Sequence, residues 1–312
     1  MLIFSRLLQF TAVIVVFGCG AFRVYGLGGD TAAAFPGALA VFDAWFGRVT
    51  LVGAIVALLS ALTLLLAVTL LLAVTANMAG SAAVALDPDT ISAVLFDTSF
   101  GRVWCWHLLF AVLLIGACLA PLSRGRMTAI LVLSLLLLIS LGWIGHAAMD
   151  QGAAKLGHEL NQMVHLLAAA LWLGGLAPLA WFLGQARHRS SVDWISLARD
   201  VLPRFSHIGY AAVALLAATG AINTLLLVGS FEALVGTAYG RLLGLKILLF
   251  SVMVVLALIN RFRLLPRLRR EPQPSAPIAA LARSVLFEQA LGFAVLAVVS
   301  VLGTWPPAIH DH

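Results

Sequence analysis

Charged side chains are scarce in this sequence. Lysine, arginine, aspartate and glutamate together make up 10% of its 312 residues, whereas a soluble domain carries about 25%. Apolar residues make up 62% instead. This composition excludes an ordinary soluble globular protein and indicates a chain that folds within a lipid bilayer.

Cysteine and the common catalytic motifs are also lacking. The three cysteines are odd in number and fall inside apolar runs, so they give no support for a disulfide framework. The sequence contains no Walker loop, dinucleotide-binding fingerprint, nucleophile elbow or HExxH zinc motif. We therefore expect neither an ATP-driven pump nor an enzyme.

The sequence contains long apolar runs instead. A helix needs ~20 mainly apolar residues to cross the hydrocarbon core. Eight segments meet that requirement: residues 4–25, 49–76, 102–121, 127–148, 161–183, 206–228, 241–260 and 284–303. The first is expected to be an uncleaved helix rather than a signal peptide, because residues 21–25 offer no small-x-small cleavage site. We predict an all-α, polytopic membrane protein with eight transmembrane helices.

The distribution of basic residues predicts the orientation of these helices. Twelve arginines lie in the loops that share one side of the membrane, at 122–126, 184–205 and 261–283. The loops on the opposite side hold only three basic residues, Arg102, Lys155 and Arg241. Positive charge marks the cytoplasm, so both termini are predicted to be periplasmic. The arginines are interpreted as anchors for lipid headgroups, and no nucleic-acid partner is expected.

Two sequence patterns occur once in each half of the chain. Thr98–Arg102 opens the third predicted helix and Thr237–Arg241 opens the seventh, both with the pattern Thr-x-aromatic-Gly-Arg. The fourth and eighth predicted helices both end in a Leu-Gly and Trp pattern followed by a histidine. Repeats with an even number of helices are parallel. We therefore predict a parallel 4+4 duplication, with an N-terminal four-helix half at 1–150 and a C-terminal four-helix half at 151–312.

Histidines cluster at the boundary between these halves. His146 and Met149 stand three residues apart near the outer end of the fourth helix, where both side chains can reach one ion. His158 and His165 are two turns apart on the fifth helix, ~10 Å along its axis, which predicts one station at the mouth and one deeper. Imidazole and thioether ligands suit copper in either oxidation state, or haem iron.

Two further histidines complete the candidate metal site. His107 lies inside the third helix, and His310 lies in the C-terminal tail on the predicted outer side. The candidate ligands are thus His146, Met149, His158, His165, His107 and His310. Copper is the expected metal. A membrane redox protein with b-type haem on histidine axial ligands, or with a link to quinone, is the alternative.

Other polar and aromatic residues lie inside the predicted helices, where an ionisable residue is by default a candidate for function. Lys246 has no sequence-local partner, so it either snorkels outward or belongs to a transport path. For Glu288, a buried ion pair with an arginine at the inner ends of the helices is the simplest prediction. An outer aromatic belt is predicted for five tryptophans, which are Trp104, Trp106, Trp143, Trp172 and Trp305.

Several stretches resemble a known family. His165–Leu176, which reads HLLAAALWLGGL, is similar to the helix-five signature of the bacterial copper resistance D proteins. Thr237–Lys246, Asn260-Arg261 and Pro306-Pro307 resemble later motifs of that family. The resemblance covers nearly the whole chain and is strongest from 158 to 307.

The resemblance implies a protein of copper homeostasis in the bacterial inner membrane that moves copper from periplasm to cytoplasm. It also implies a partner, a small periplasmic copper-binding protein of the CopC type. Some relatives carry that domain fused, and this sequence contains none, so a separate partner is expected. Because the family is grouped with haem-binding four-helix membrane bundles, the haem b alternative stays open.

Overall fold

The computed structural model of the protein describes residues 1–28, 30–76, 88–121, 123–143, 152–189, 192–271 and 274–308. Three of the candidate ligands, His146, Met149 and His310, lie outside these described residues. Within them the regular secondary structure is entirely helical. This confirms the all-α prediction for the described part of the chain.

The described residues contain thirteen α-helices. In chain order they are α1 (Leu2–Tyr25), α2 (Asp30–Ala34), α3 (Pro36–Ala76), α4 (Pro88–Asp97), α5 (Ser99–Leu119), α6 (Arg124–Gly142), α7 (Gly152–Ala169), α8 (Gly175–Arg189), α9 (Val192–Leu227), α10 (Phe231–Gly236), α11 (Ala238–Ile259), α12 (Leu265–Arg270) and α13 (Ser275–Leu302). A first π segment, Ala170–Gly174, joins α7 to α8, and a second π segment, Asn260–Leu264, joins α11 to α12.

Eight helices in the described residues are long and apolar enough to cross a membrane, as predicted. Consecutive spans run in opposite directions, so Met1 and Leu302 lie at one end of the bundle, here called the terminal end. The opposite end, where Tyr25, Arg189 and Arg270 lie, is here called the arginine-rich end. The depth of a side chain in the bundle is given by its distance from these two ends.

Two spans begin more than ten residues earlier than hydropathy predicts. The second begins at Pro36 rather than at residue 49, and α9 begins at Val192 rather than at 206. Proline suits the first turn of a helix, where its missing N–H is not needed. The added turns carry polar residues such as Asp43, whose carboxylate binds the Arg23 guanidinium at 2.7 Å. A hydropathy window detects only the apolar part of such a helix.

Aromatic rings join these early turns to the rest of the arginine-rich end. Trp45 of α3 stacks on Trp181 of α8 with ring centroids 5.0 Å apart. Trp181 in turn meets Trp194 of α9 edge to face at 5.9 Å. Phe42 packs against both Trp45 and Trp181. The three long helices are therefore tied together beyond their apolar cores.

The centre of the bundle is a close crossing of α1 and the first π segment. A Cβ added to Gly18 would overlap the backbone of Gly174, and a Cβ added to Gly174 would overlap the Ile14 carbonyl. The Ala170 carbonyl oxygen also lies close to Gly18, at 2.7 Å from such a Cβ. Small residues allow helix backbones to approach this closely inside a membrane. The two helices therefore pack backbone to backbone at this point.

The repeated Thr-x-aromatic-Gly-Arg pattern folds in the same way at both of its occurrences. Thr98 caps α5 by accepting from Gly101 N, and Thr237 caps α11 by accepting from Gly240 N. Both hydroxyls satisfy a backbone donor that a helix N-terminus leaves free. Each following arginine donates to two carbonyl groups of the short helix before it. The pattern is thus a helix-start motif.

The two groups of four spans differ in how closely they pack. In the first group α3 packs along α5, whereas in the second group α9 and α11 make no substantial packing contact between their described residues. Few of the side chains of α11 are buried, and most of them are exposed or half-buried. The second group is therefore open on the side between α9 and α11.

The predicted aromatic belt is wrong for two of its five members. Trp104 is 2% exposed and Trp172 is 1% exposed, because both face neighbouring helices rather than lipid. Trp104 donates its indole N–H to the Ala61 carbonyl at 3.0 Å. Trp106, Trp143 and Trp305 are exposed, as the belt requires.

Candidate metal site at the terminal end

His165 lies on α7 at the point where this helix meets α9. Its Nδ1 lies 2.8 Å from the Thr219 hydroxyl. That hydroxyl has one proton and donates it to the Leu215 carbonyl at 2.5 Å. It must therefore accept from His165, which places the ring proton on Nδ1 and the lone pair on Nε2.

This arrangement prepares Nε2 for a metal ion. Within the described part of the chain, His165 Nε2 makes no hydrogen bond. Histidines that bind metals usually donate their other ring N–H to a fixed acceptor, which sets the tautomer and the ring orientation. The Thr219 hydroxyl occupies that position here.

Amide side chains surround this histidine on the same two helices. Asn161, one turn before His165, donates to the Thr219 carbonyl at 3.1 Å and to Asn223 Oδ1 at 2.8 Å. Asn223 donates in turn to Gln162 at 3.2 Å. These bonds tie α7 to α9 and leave His165 little freedom to turn away.

Lys246 of α11 is close enough for its charge to act on the His165 ring. Within the described residues it forms no hydrogen bond or ion pair. Snorkelling and a place beside the path both stay predictions for this residue. A bound cation would therefore meet a positive charge nearby.

His158 lies two turns before His165 on α7. It is 6% exposed, and the helix rise puts it ~10 Å from His165 along the axis. The two histidines thus occupy separate depths on one helix, and their use as two stations stays a prediction. His158 is the one nearer the terminal end.

A second polar cluster lies at the same depth among α1, α3, α5 and α6. The Gln9 amide donates to His107 Nε2 at 2.7 Å, and His107 Nδ1 lies 2.6 Å from the Ser140 hydroxyl. Ser60 donates to Gln9 Oε1 at 2.5 Å. The Trp104 ring stacks on the imidazole at 4.9 Å. Every polar atom around this imidazole thus has a partner.

His107 therefore differs from His165 as a candidate ligand. It is fully buried, and both of its ring nitrogens are hydrogen bonded to protein. A metal ion at His107 would have to displace Gln9 or Ser140. The described residues hold no group of three or more His, Cys, Asp and Glu side chains that could bind a metal ion by themselves.

The residues that hold these histidines were not predicted from the sequence. They are four buried polar residues inside apolar runs: Gln9, Ser60, Asn161 and Thr219. Polar residues in such runs are few and generally pair with one another, so their presence alone marks them as candidates. What the sequence lacks is any indication of which of them meet across helices.

The predicted ion pair of Glu288 with an arginine is wrong. Its described partner is the neutral amide of Asn260, which donates to Glu288 Oε1 at 2.5 Å. The nearby Arg261 guanidinium lies instead over the Tyr210 ring, 5.9 Å from its centroid.

Together these features define a multi-pass helical membrane protein that presents one oriented imidazole near an end of its bundle. Residues 1–156 match the family described as "Copper resistance protein D-like, N-terminal domain", and residues 199–302 match the one described as "Copper resistance protein D". The chain belongs to the copper resistance protein D family, and it is a multi-pass protein of the inner membrane.

Three curated relatives are similar to the chain. Inner membrane protein YebZ of Escherichia coli (strain K12) is 36% identical over 221 residues, which cover 70% of this chain and 73% of that protein. Copper resistance protein D of Pseudomonas syringae pv. tomato is 29% identical over 315 residues, covering 98% and 96%. Copper transport protein CutJ of Bacillus subtilis (strain 168) is 31% identical over 233 residues, covering 73% and 40%. No solved structure matches the chain.

Proposed function

We propose that this protein takes up copper at the terminal end of its bundle and passes it toward the arginine-rich end. The observation that carries the proposal is His165, whose Nδ1 is held by Thr219 while Nε2 carries a free lone pair. Imidazole is a ligand for copper in both of its oxidation states. The copper resistance and copper transport names of the relatives support the choice of metal.

The proposed direction is from periplasm to cytoplasm, with both termini periplasmic. It is supported by the twelve arginines of the loops at the arginine-rich end, since positive loops face the cytoplasm. A reporter fused after residue 312 tests it. Alkaline phosphatase should be active there and green fluorescent protein dark; the reverse result would place the terminal end in the cytoplasm.

The proposed path has two stations, with His158 at the mouth and His165 deeper. His146, Met149 and His310 are proposed to complete the outer station, since one imidazole alone binds copper weakly. His107 is the weakest candidate of the six because both of its nitrogens are occupied. We infer transport rather than catalysis, and a separate periplasmic copper-binding protein of the CopC type as the donor.

Lys246 suits a site that must release its cargo. A fixed positive charge near bound copper weakens binding through Coulomb repulsion, by about 1–2 kcal/mol for two unit charges ~10 Å apart at an effective dielectric constant of about 20. The same charge opposes the trapping of copper at His165. We propose that Lys246 keeps the affinity low enough for onward transfer.

We also propose that the chain is a parallel duplication, with halves at 1–150 and 151–312. The support lies in matching positions: Gln9 and His165 both stand nine residues before the glycines that cross at the centre, Gly18 and Gly174. In both halves this residue is bonded to a hydroxyl of the next long span, Ser60 or Thr219. The identical capping of α5 and α11 agrees with the same division.

The decisive experiment compares His165→Ala with His207→Ala, an exposed histidine of the arginine-rich end. We expect His165→Ala to abolish copper-dependent accumulation in cells and to reduce the copper bound to the purified protein, with His207→Ala unchanged. Elemental analysis measures both quantities. Equal copper in both variants and the wild type would remove His165 from the path.

The haem alternative draws no support from the described histidines. The rings of His107 and His165 belong to different clusters, and the first has no free nitrogen for iron. The same purified sample decides the matter. A Soret band that His165→Ala removes would replace the copper proposal with a cytochrome.

A further inference from the structure

A cavity of about 80 Å³ lies among α9, α11 and α13, nearer the arginine-rich end than His165. A water molecule needs about 10–15 Å³ of such space, so the cavity has room for several. Its wall is mostly apolar. The polar part of the wall comprises five side chains, Ser206, Tyr210, Asn260, Arg261 and Glu288.

Glu288 is the unusual member of this wall. Its side chain is 2% exposed, on a span that packs against α8, α11 and α12. Among the described residues its only bonded partner is the Asn260 amide. The one ion pair formed among those residues joins Arg23 to Asp43, far along the chain from Glu288.

Asn260 adds a second acceptor to the same wall. Because its amide nitrogen donates to Glu288, its Oδ1 is directed elsewhere, and that buried oxygen has no hydrogen-bond partner. Asn260 is also the first residue of the second π segment. Such π-helical turns occur often at functional sites.

Among the described residues, Asn260 Oδ1 and the second Glu288 oxygen accept no hydrogen bond from this wall, whose Ser206 hydroxyl donates to the Leu202 carbonyl instead. An ionised carboxylate in a low-dielectric interior is strongly unfavourable unless it is paired or neutralised. The other charged or titratable groups on the cavity wall are Tyr210 of α9 and Arg261 of the second π segment. The guanidinium lies over the Tyr210 ring, and α8, α11 and α12 contribute only apolar side chains to the wall.

We propose that Glu288 and Asn260 form a binding site for one small hard cation, a proton or sodium, in the arginine-rich half of the bundle. Carboxylate and amide oxygens are hard ligands and bind such cations, whereas copper in its soft state prefers sulfur and nitrogen. The site shares no residue with the His165 cluster. The proposed cation site can therefore be tested independently of the proposed copper path.

Two measurements on the purified full-length protein test this site and distinguish the two cations. The first is the infrared band of a protonated carboxylic acid at neutral pH, in the wild type and in Glu288→Gln. The second is the thermal unfolding temperature in sodium chloride and in choline chloride at equal ionic strength. Glu232→Gln, on the exposed surface of α10, is the matched control.

A carboxylic acid band that Glu288→Gln removes and Glu232→Gln keeps identifies a proton. A rise of Tm specific to sodium, lost in Glu288→Gln, identifies sodium, because a ligand that binds only the folded state stabilises it. If Glu288→Gln does not fold, Asn260→Ala serves instead, and it should weaken the sodium effect or change the frequency of the carboxylic acid band. A wild type with neither signal would overturn the proposal.

Discussion

Thr219→Val removes the group that orients His165 while keeping the shape of the side chain. The valine has no hydroxyl to accept from Nδ1, so the ring loses both its fixed tautomer and its fixed orientation. The Asn161 bond to the Thr219 carbonyl does not depend on this side chain. The variant therefore tests the orientation of one imidazole with little change to the bundle.

The expected magnitude follows from the role of such outer partners. Loss of a residue that orients a metal-binding histidine weakens metal affinity about 10–100-fold. Each factor of ten is worth about 1.4 kcal/mol. The lost hydroxyl also leaves the His165 N–H without its acceptor, which costs about 1–3 kcal/mol of stability. Copper affinity and thermal stability must therefore be measured separately.

The assay is a copper titration of the purified protein against a chelator of known affinity. Thr219→Ser keeps the hydroxyl and should retain wild-type affinity, whereas Thr219→Val should bind 10–100-fold more weakly. Copper accumulation in cells should follow the same order. Equal affinities in all three proteins would refute the role given to Thr219, and with it the argument that Nε2 is the copper-binding atom.

Three further variants extend the same reasoning. Lys246→Met removes the neighbouring charge and should tighten copper binding about tenfold while it slows accumulation in cells; a weaker affinity would make Lys246 a ligand instead. Gln9→Leu strands a buried nitrogen of His107 and should cost about 1–3 kcal/mol of stability without changing copper affinity, as a shift in Tm would show. Gly174→Ala places a methyl group against the Ile14 carbonyl and should destabilise the fold by about 1–3 kcal/mol in a melting experiment. Gly292→Ala meets only the flexible side chains of Leu173 and Met253, at 3.2 Å or more, and should be tolerated.

The spans were predictable from sequence because length and hydropathy alone decide membrane insertion. The helix starts at Thr98 and Thr237 were also visible, since the repeated pattern carries its own capping residue. Their role as caps was not predicted, because the capping hydrogen bonds are visible only in the structure. The early start of α3 was not predicted either, because Asp43 is a polar residue whose pairing with Arg23 the sequence does not show.

Which helices pack against one another could not be predicted from the sequence. A span that is apolar all round shows no face that predicts its neighbour. Trp104 and Trp106 illustrate this, because they stand two residues apart and only the first is buried. The Gln9–His107 bond joins residues 98 positions apart, and the Asn260–Glu288 bond could not be distinguished from the expected ion pair with an arginine. The candidate site was thus predictable in its histidines but not in the partners that orient them.

The polar early turns of α9 also indicate the depth of the copper site. Arg199 and Arg204 lie in these turns, and arginine side chains there bind in the headgroup layer. Thr219 lies 15 residues beyond Arg204 on the same helix, a rise of ~22 Å. The hydrocarbon core is about 30 Å thick, so the His165–Thr219 pair lies inside the core, in the third next to the terminal end. We therefore expect copper to lose most of its water before it reaches His165, at the proposed outer station.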